Sequence, residues 1–150
     1  MTAIRRGRTA DAPALTRIAR EAYAPYVADI GRESPPMLQD FPADIAAGAC
    51  WVAGDPPQGY LVARERDGDW LLENVAVAPA AQGEGIGRAL IAFAESEALR
   101  RGHGKIVLYT HAKMTRNLVL YPRLGCRRVA ERTEHELDRV YFEKWLEPGP

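Results

Sequence analysis

The chain has few of the residues that mark specialised protein classes. It has two cysteines, Cys50 and Cys126, and three histidines. The cysteines form no CxxC and do not cluster with the histidines. That excludes a metal-ligand pattern and a disulfide framework, and no metal is expected. Both thiols fit the reduced state of a cytoplasmic protein. Net formal charge is zero, so no overall field draws the chain to nucleic acid or to an anionic membrane, and neither is expected as a partner. No stretch approaches the roughly 20 apolar residues of a membrane-crossing helix, and "MTAIRRGRTADAP" has no apolar signal core. No repeat, low-complexity segment or linker interrupts the 150 residues. That length suits one soluble domain with one core.

Periodicity supplies the elements. A short strand is expected near Ala3 to Arg6. "TADAPALTRIAREAYAPYV" reads as a helix, with Thr9 or Asp11 as N-cap and Leu15, Ile18, Ala19 and Ala22 facing the core. "GRESPPMLQDFPADIAAG" reads as irregular or as a short helix, and a stretch of that length is usually functional or mobile. "CWVAG" starts the strands. A hairpin follows over Tyr60 to Glu65 and Trp70 to Ala78, turning at Asp67-Gly68. "GRALIAFAESEALRRG" is an amphipathic helix with Gly102 as a left-handed cap. "KIVLYTH" is an apolar strand. "RNLVLYPRLGC" is a short helix with Asn117, Leu120, Tyr121 and Leu124 on one face. Pro122 implies that this helix starts late, near Leu118, or is kinked. "RRVAER" and "RVYFEKWL" close the chain as an antiparallel pair. The order describes a mixed α/β (α+β) domain around a single sheet.

Chemistry concentrates in "VAVAPAAQGEGIGRAL", where Gly83, Gly85 and Gly87 alternate. A strand, a glycine turn and a helix N-terminus make an anion site. The first N–H groups of a helix lack intrahelical partners, and the macrodipole adds about half a positive charge. A P-loop would need Lys followed by Ser or Thr, which is absent. A dinucleotide GxGxxG would need glycine where Arg88 or Leu90 stands. The pattern that fits is [Gln/Arg]-x-x-Gly-x-[Gly/Ala], met by Gln82, Gly83, Glu84, Gly85, Ile86 and Gly87.

That loop resembles the pyrophosphate loop of the GNAT N-acetyltransferase family. "LLENVAVAP" is similar to the family's fourth strand. Asn117, Tyr121 and Gly125 match its Asn-x-x-x-Tyr-x-x-x-Gly helix, and "RVYFEKWL" its closing strand. The resemblance covers nearly the whole chain. It implies a mixed, mostly antiparallel sheet flanked by helices, with strands four and five splayed around the pantetheine arm of acetyl-CoA. It further implies direct acetyl transfer to a primary amine, and often a homodimer. On this resemblance Val75, Ala76 and Val77 bind the arm, and Gln82 to Arg88 hold the pyrophosphate. Asn117 bonds the arm from the other side. Arg123 approaches the 3′-phosphate or is simply solvated. Cys126 stands where the family usually has Phe.

The reaction needs a neutral amine, although a free alkyl amine has a pKa near 10, and it needs an acid for the departing thiolate. Tyr121 is the candidate acid, or else a core tyrosine. Glu73 is the candidate base. It shares a strand face with Val75 and Val77, where burial would raise its pKa; the alternative is a salt-bridged or substrate-orienting carboxylate. His111 could assist, or pack at its strand end. Tyr23, Tyr26, Met37 and Phe41 suggest a partly apolar acceptor pocket. Asp29, Glu33, Asp40 and Asp44 could attract a cationic amine, or form a solvated face. The acceptor expected is a small molecule or amino-acid-like amine. Protein lysines, N-terminal amines and a non-catalytic acyl-CoA sensor are the alternatives.

Overall fold

A computed structural model describes residues 3–147. Strands β1 (Ile4–Arg6), β2 (Cys50–Ala53), β3 (Gly59–Arg66), β4 (Asp69–Val77), β5 (Lys105–His111), β6 (Arg127–Glu134) and β7 (Leu137–Trp145) form one sheet. Their order is β1-β2-β3-β4-β5-β7-β6. β4 and β5 pair in parallel, and only over Trp70–Leu72 with Ile106–Leu108. Pairs β1–β2, β2–β3, β5–β7 and β6–β7 are antiparallel. Helices α1 (Ala12–Tyr23), α2 (Val27–Ile30), α3 (Phe41–Ala46), α4 (Ile86–Arg100) and α5 (Thr115–Arg123) complete the mixed fold expected from the sequence.

Local chemistry explains most boundaries. Asp67 (φ 53°) and Gly68 (φ 83°) both take positive φ, as a type I′ hairpin turn requires. The stretch read as one helix through Val27 instead stops at Tyr23 and continues as a 3₁₀ turn, Ala24–Tyr26. Pro25 lacks the N–H that would extend the helical ladder. α4 ends as expected at Gly102 (φ 85°), with the His103 N–H bonded to Ala98 O at 2.8 Å. α5 starts at Thr115 rather than near Leu118, and Pro122 falls in its last turn. There it costs only one ladder bond, and Gly125 (φ 91°) closes the helix with Cys126 N–H on Tyr121 O at 3.0 Å. Leu120, expected on the inner face of α5, is exposed, whereas Tyr121 and Leu124 are buried.

The chain forms two compact units. One comprises Met1–Ala63 with Asn74–Phe93, the other Arg64–Glu73 with Ala94–Pro150. In the first, Leu15, Ile18 and Ala19 of α1 are buried as their spacing predicts, while Ala22 is only half-buried. Phe41 of α3 meets the Tyr60 ring edge-on at 4.9 Å. Trp51 and Leu61 are in register, so they share the opposite face, where Trp51 packs on Phe93 of α4. In the second unit, Trp70 donates its Nε1–H to Ala94 O (3.1 Å), and Tyr121 of α5 lies edge-on to Phe142 (5.4 Å). Ile106, Leu108, Val140 and Phe142 are buried on that side of the sheet. Val107, Tyr109, His111, Arg139 and Tyr141 point the other way and are half-exposed.

Candidate active site

The first unit carries the glycine turn. Gly83 (φ 86°) and Gly85 (φ 83°) both occupy the left-handed region, and a Cβ on either would meet nothing within 4 Å. The turn is exposed and its outer side is open. Gly85 O accepts the first helical bond, from Ala89 N at 3.0 Å. The N–H groups of Ile86, Gly87 and Arg88 therefore precede the ladder and are available to an anion. Arg88 is exposed at the same end. Gln82 folds back, its Nε2 donating to Val77 O at 3.4 Å.

The strand leading to this turn is anchored from beneath. Ala76 is buried, and Val75 and Val77 are half-exposed on the other side. The Tyr23 hydroxyl donates to Val75 O at 3.0 Å. Tyr23 is thus committed to the strand rather than presented to an acceptor. Met37 and Phe41 are buried as well, which leaves Tyr26 as the half-exposed member of the predicted pocket. The acidic residues nearby have structural duties. Glu33 pairs with Arg20 (2.9 Å), Asp40 caps α3 through Ala43 N (3.1 Å), and Asp44 accepts from Gln39 Nε2 (2.7 Å). Asp29 alone of the four has no such duty described and is exposed.

Sequence reasoning passed over Asn74, which organises this region. It is 3% exposed. Its Oδ1 accepts from Tyr60 OH (2.8 Å) and faces Tyr23 OH (3.3 Å). Its Nδ2 donates to Pro36 O (3.3 Å) and Gln39 Oε1 (3.2 Å). Burial pushes the Tyr60 phenol well above its usual range, so it remains a donor. A polar residue between apolar neighbours on an interior strand was the available signal.

The second unit holds the remaining predicted residues. Glu73 is half-buried and paired with Arg64 Nη2 at 3.1 Å, which is the salt-bridged arrangement the sequence left open. Tyr121 is buried near the end of α5. Asn117 donates Nδ2 to Thr110 Oγ1 (3.0 Å), fastening α5 to β5. His111 Nδ1 accepts from Lys113 N (3.0 Å), capping the turn after β5. Arg123 is exposed. Burial pushes the Cys50 and Cys126 thiols up to about 12 and about 11, as expected for inert cysteines. Among the described residues no group of three or more His, Cys, Asp or Glu could hold a metal, and no helix is long and apolar enough to cross a membrane.

A parallel strand pair that stops after three residues, followed by an open glycine turn starting a long helix, places this chain among mixed α/β folds. Comparison with known structures gives the same architecture. The N-acetyltransferase PaiA of Thermoplasma acidophilum, solved with coenzyme A, superposes with a TM-score of 0.81 at 18% identity, over 97% of this chain and 99% of that one. The ribosomal-protein-S18-alanine N-acetyltransferase of Escherichia coli gives 0.73 at 20% identity, over 100% and 97%. A GNAT-family acetyltransferase of Listeria monocytogenes gives 0.72 at 15%, over 97% and 95%. The comparison with curated proteins gives no match. The family model for the acetyltransferase (GNAT) domain matches residues 46–127, more than half of the chain. The chain belongs to the GNAT acetyltransferase family and is an N-acetyltransferase by class.

Proposed function

We propose that this single domain transfers an acetyl group from acetyl-CoA directly to a primary amine of a small molecule or amino-acid-like acceptor. One observation carries the reading. The turn at Gly83 and Gly85 is open on its outer side and delivers the first N–H groups of α4 outward. A pyrophosphate fits such a cradle, because it needs several convergent donors and no side chain in the way. Gln82 to Arg88 hold it, and Val75, Ala76 and Val77 run along the pantetheine arm. Asn117 bonds the arm from its other side, and Arg123 approaches the 3′-phosphate. The related structure solved with coenzyme A supports this assignment.

Acetyl-CoA supplies the activated thioester. Attack by the amine forms the new C–N bond, and collapse breaks the C–S bond. Tyr121 donates its phenolic proton to the departing thiolate and recovers one from the nitrogen of the new amide. Glu73, held by Arg64, orients the ammonium and takes a proton from it through water. A fixed backbone N–H on β4 stabilises the intermediate oxyanion. Two buried free thiols fit a reducing, cytoplasmic setting.

The test begins with ligand. Acetyl-CoA at about 100 times its Kd should stabilise the fold by about 2.7 kcal/mol, read as a rise in melting temperature. Thiol release with a panel of amines should then show turnover. Stabilisation with no turnover for small amines, peptides or lysines would favour a sensor. No stabilisation would overturn the reading. Tyr121→Phe is expected to lower kcat about a hundredfold with acetyl-CoA affinity retained. Glu73→Gln should depress the rate most near neutral pH and least where the amine is already deprotonated. A loss independent of pH would leave Glu73 an orienting role only.

A further inference from the structure

Two arginines face each other on the sheet. Arg132 of β6 and Arg139 of β7 are directly paired in register. Like charges in that position destabilise a sheet unless something lies between them. Both guanidiniums lie on one face. Arg139 Cζ sits 4.6 Å from the Tyr109 ring centroid and Arg132 Cζ 4.9 Å from that of Tyr141. The two rings are 5.4 Å apart. Arg139 is held against the sheet, its side chain 14% exposed. Glu134 is the anion beside them. Its carboxylate accepts from Tyr141 OH and lies 3.9 Å from Arg139 Nη1, at the outer limit of an ion pair. Glu134 thus reaches Arg139 only at that limit, and a planar guanidinium suits a carboxylate in particular.

The position matters as much as the charge. Arg139 lies over the ring of Tyr109, on the strand next to β4. Tyr109 is the first β5 residue beyond the last β4–β5 pair, Leu72 with Leu108, and Glu73 is the first on β4. Leu71 and Val107 are in register, so Glu73 and Tyr109 share their face two residues on. Neighbouring strands are about 4.8 Å apart. Glu73 and the Arg139 guanidinium therefore lie on one face of the sheet, on either side of the strand that carries Tyr109. A molecule with an amine and a carboxylate a few bonds apart can engage both.

We propose that Arg139, assisted by Arg132, binds the carboxylate of an amino-acid acceptor. The proposal rests on the transferase reading above and narrows its acceptor class. The commitment of Glu33, Asp40 and Asp44 to Arg20, Ala43 and Gln39 agrees with it, since those carboxylates are not gathered for a polycationic amine.

Two arms test it. In the first, amino acids are compared with their carboxamides and decarboxylated amines as acceptors. The free carboxylate should raise kcat/KM about ten- to hundredfold, as expected for hydrogen bonds to a charged group. Arg139→Gln should abolish that preference by raising KM for the amino acids alone. Arg139→Lys should restore part of it, and the exposed Arg132→Gln should weaken it without threatening the fold. Equal or better use of the amides overturns the proposal and leaves the transferase reading intact. The second arm needs no turnover. N-acetylglycine and N-acetylglycinamide are titrated into the protein with coenzyme A, and the arginine Nε–H resonances are followed by NMR. The carboxylate should shift the Arg139 signal and the amide should not. Absence of that difference overturns the proposal even if the enzyme turns over. A carboxylate-selective shift with no acetyl-CoA stabilisation upholds the anion site and overturns the transferase reading instead.

Discussion

Asn74 shows what a single side chain can hold together. Its amide accepts from Tyr60, donates to Pro36 and Gln39, and faces the Tyr23 hydroxyl. Gln39 passes the chain of bonds on to Asp44 at 2.7 Å. The segment before α3 is thereby tied to the strand that carries Val75. Asn74→Ala would leave several buried partners unsatisfied, at about 1–3 kcal/mol for each such group, partly offset by relaxation. A net loss of about 2–4 kcal/mol is expected in urea unfolding. A loss below 0.5 kcal/mol would mean the network contributes nothing. The sequence hid this residue for a physical reason. The partners stand 14, 35, 38 and 51 positions away, and only the folded chain brings them together. Glu73, by contrast, was legible as a carboxylate on an apolar strand. Its Arg64 partner was not, because a diagonal pairing across a hairpin depends on register. Tyr23, Met37 and Phe41 were legible as apolar. Spacing alone could not say whether they line a pocket or fill a core.

Among the elements, the turn from β4 into α4 was the most legible, because its function demands glycine at particular positions. It supports a paired prediction. Gly85 holds φ 83°, which costs an L-residue about 1–2 kcal/mol. Gly85→Ala should therefore destabilise by about that much and weaken acetyl-CoA binding by distorting the N–H cradle. Gly87 has no positive φ, and a Cβ there would make only an ordinary 3.6 Å contact with Val77 Cγ2. Since alanine is the better helix former, Gly87→Ala should stabilise by about 0.5–1 kcal/mol and keep binding. Thermal melts with and without acetyl-CoA separate the two. If both variants bind equally well, the turn does not grip the cofactor. α5 starts at Thr115, earlier than Pro122 alone suggests. Proline breaks a helix interior, but the Gly125 cap ends α5 directly after it, so Pro122 disturbs almost nothing. In α1, Pro25 had the opposite effect, ending the helix where the apolar spacing alone would have continued it.

At the scale of the whole molecule, the succession of strands and of the longer helices along the chain followed from periodicity, whereas the order of strands in the sheet did not. The division into two units did not, because it falls inside β3, β4 and α4, where the sequence carries no linker. Charge pairing and burial across the chain fix how stability should vary with pH. Asp11 is held below its ordinary range chiefly by hydrogen bonding to Arg5, Glu97 by Arg100, and Glu134 by Tyr141. A depressed carboxylate stabilises fully above its unfolded pKa, about 4, and that contribution is lost as pH falls through the folded value. Acid should therefore unfold the protein progressively below about pH 4. Asp11→Asn should flatten this limb, as the Arg5–Asp11 pair at 2.8 Å is the more buried of the three. The alkaline limb has the opposite cause. Burial raises Tyr60, Cys126 and Cys50, the last up to about 12. A group with a raised pKa stabilises fully below its unfolded value, about 8.5 for a thiol, and loses that contribution as pH climbs towards the folded one. Between pH 8 and pH 10 the unfolded chain sheds the Cys50 proton while the folded chain keeps it. That single difference should cost about 1–2 kcal/mol over the interval. Urea titrations at several pH values read it directly. Cys50→Ala will lower stability at every pH by leaving a small cavity, so the slope rather than the level is diagnostic. A shallower decline from pH 8 to pH 10 is expected in the variant. An unchanged slope would show that the buried thiol ionises as readily in the fold as out of it.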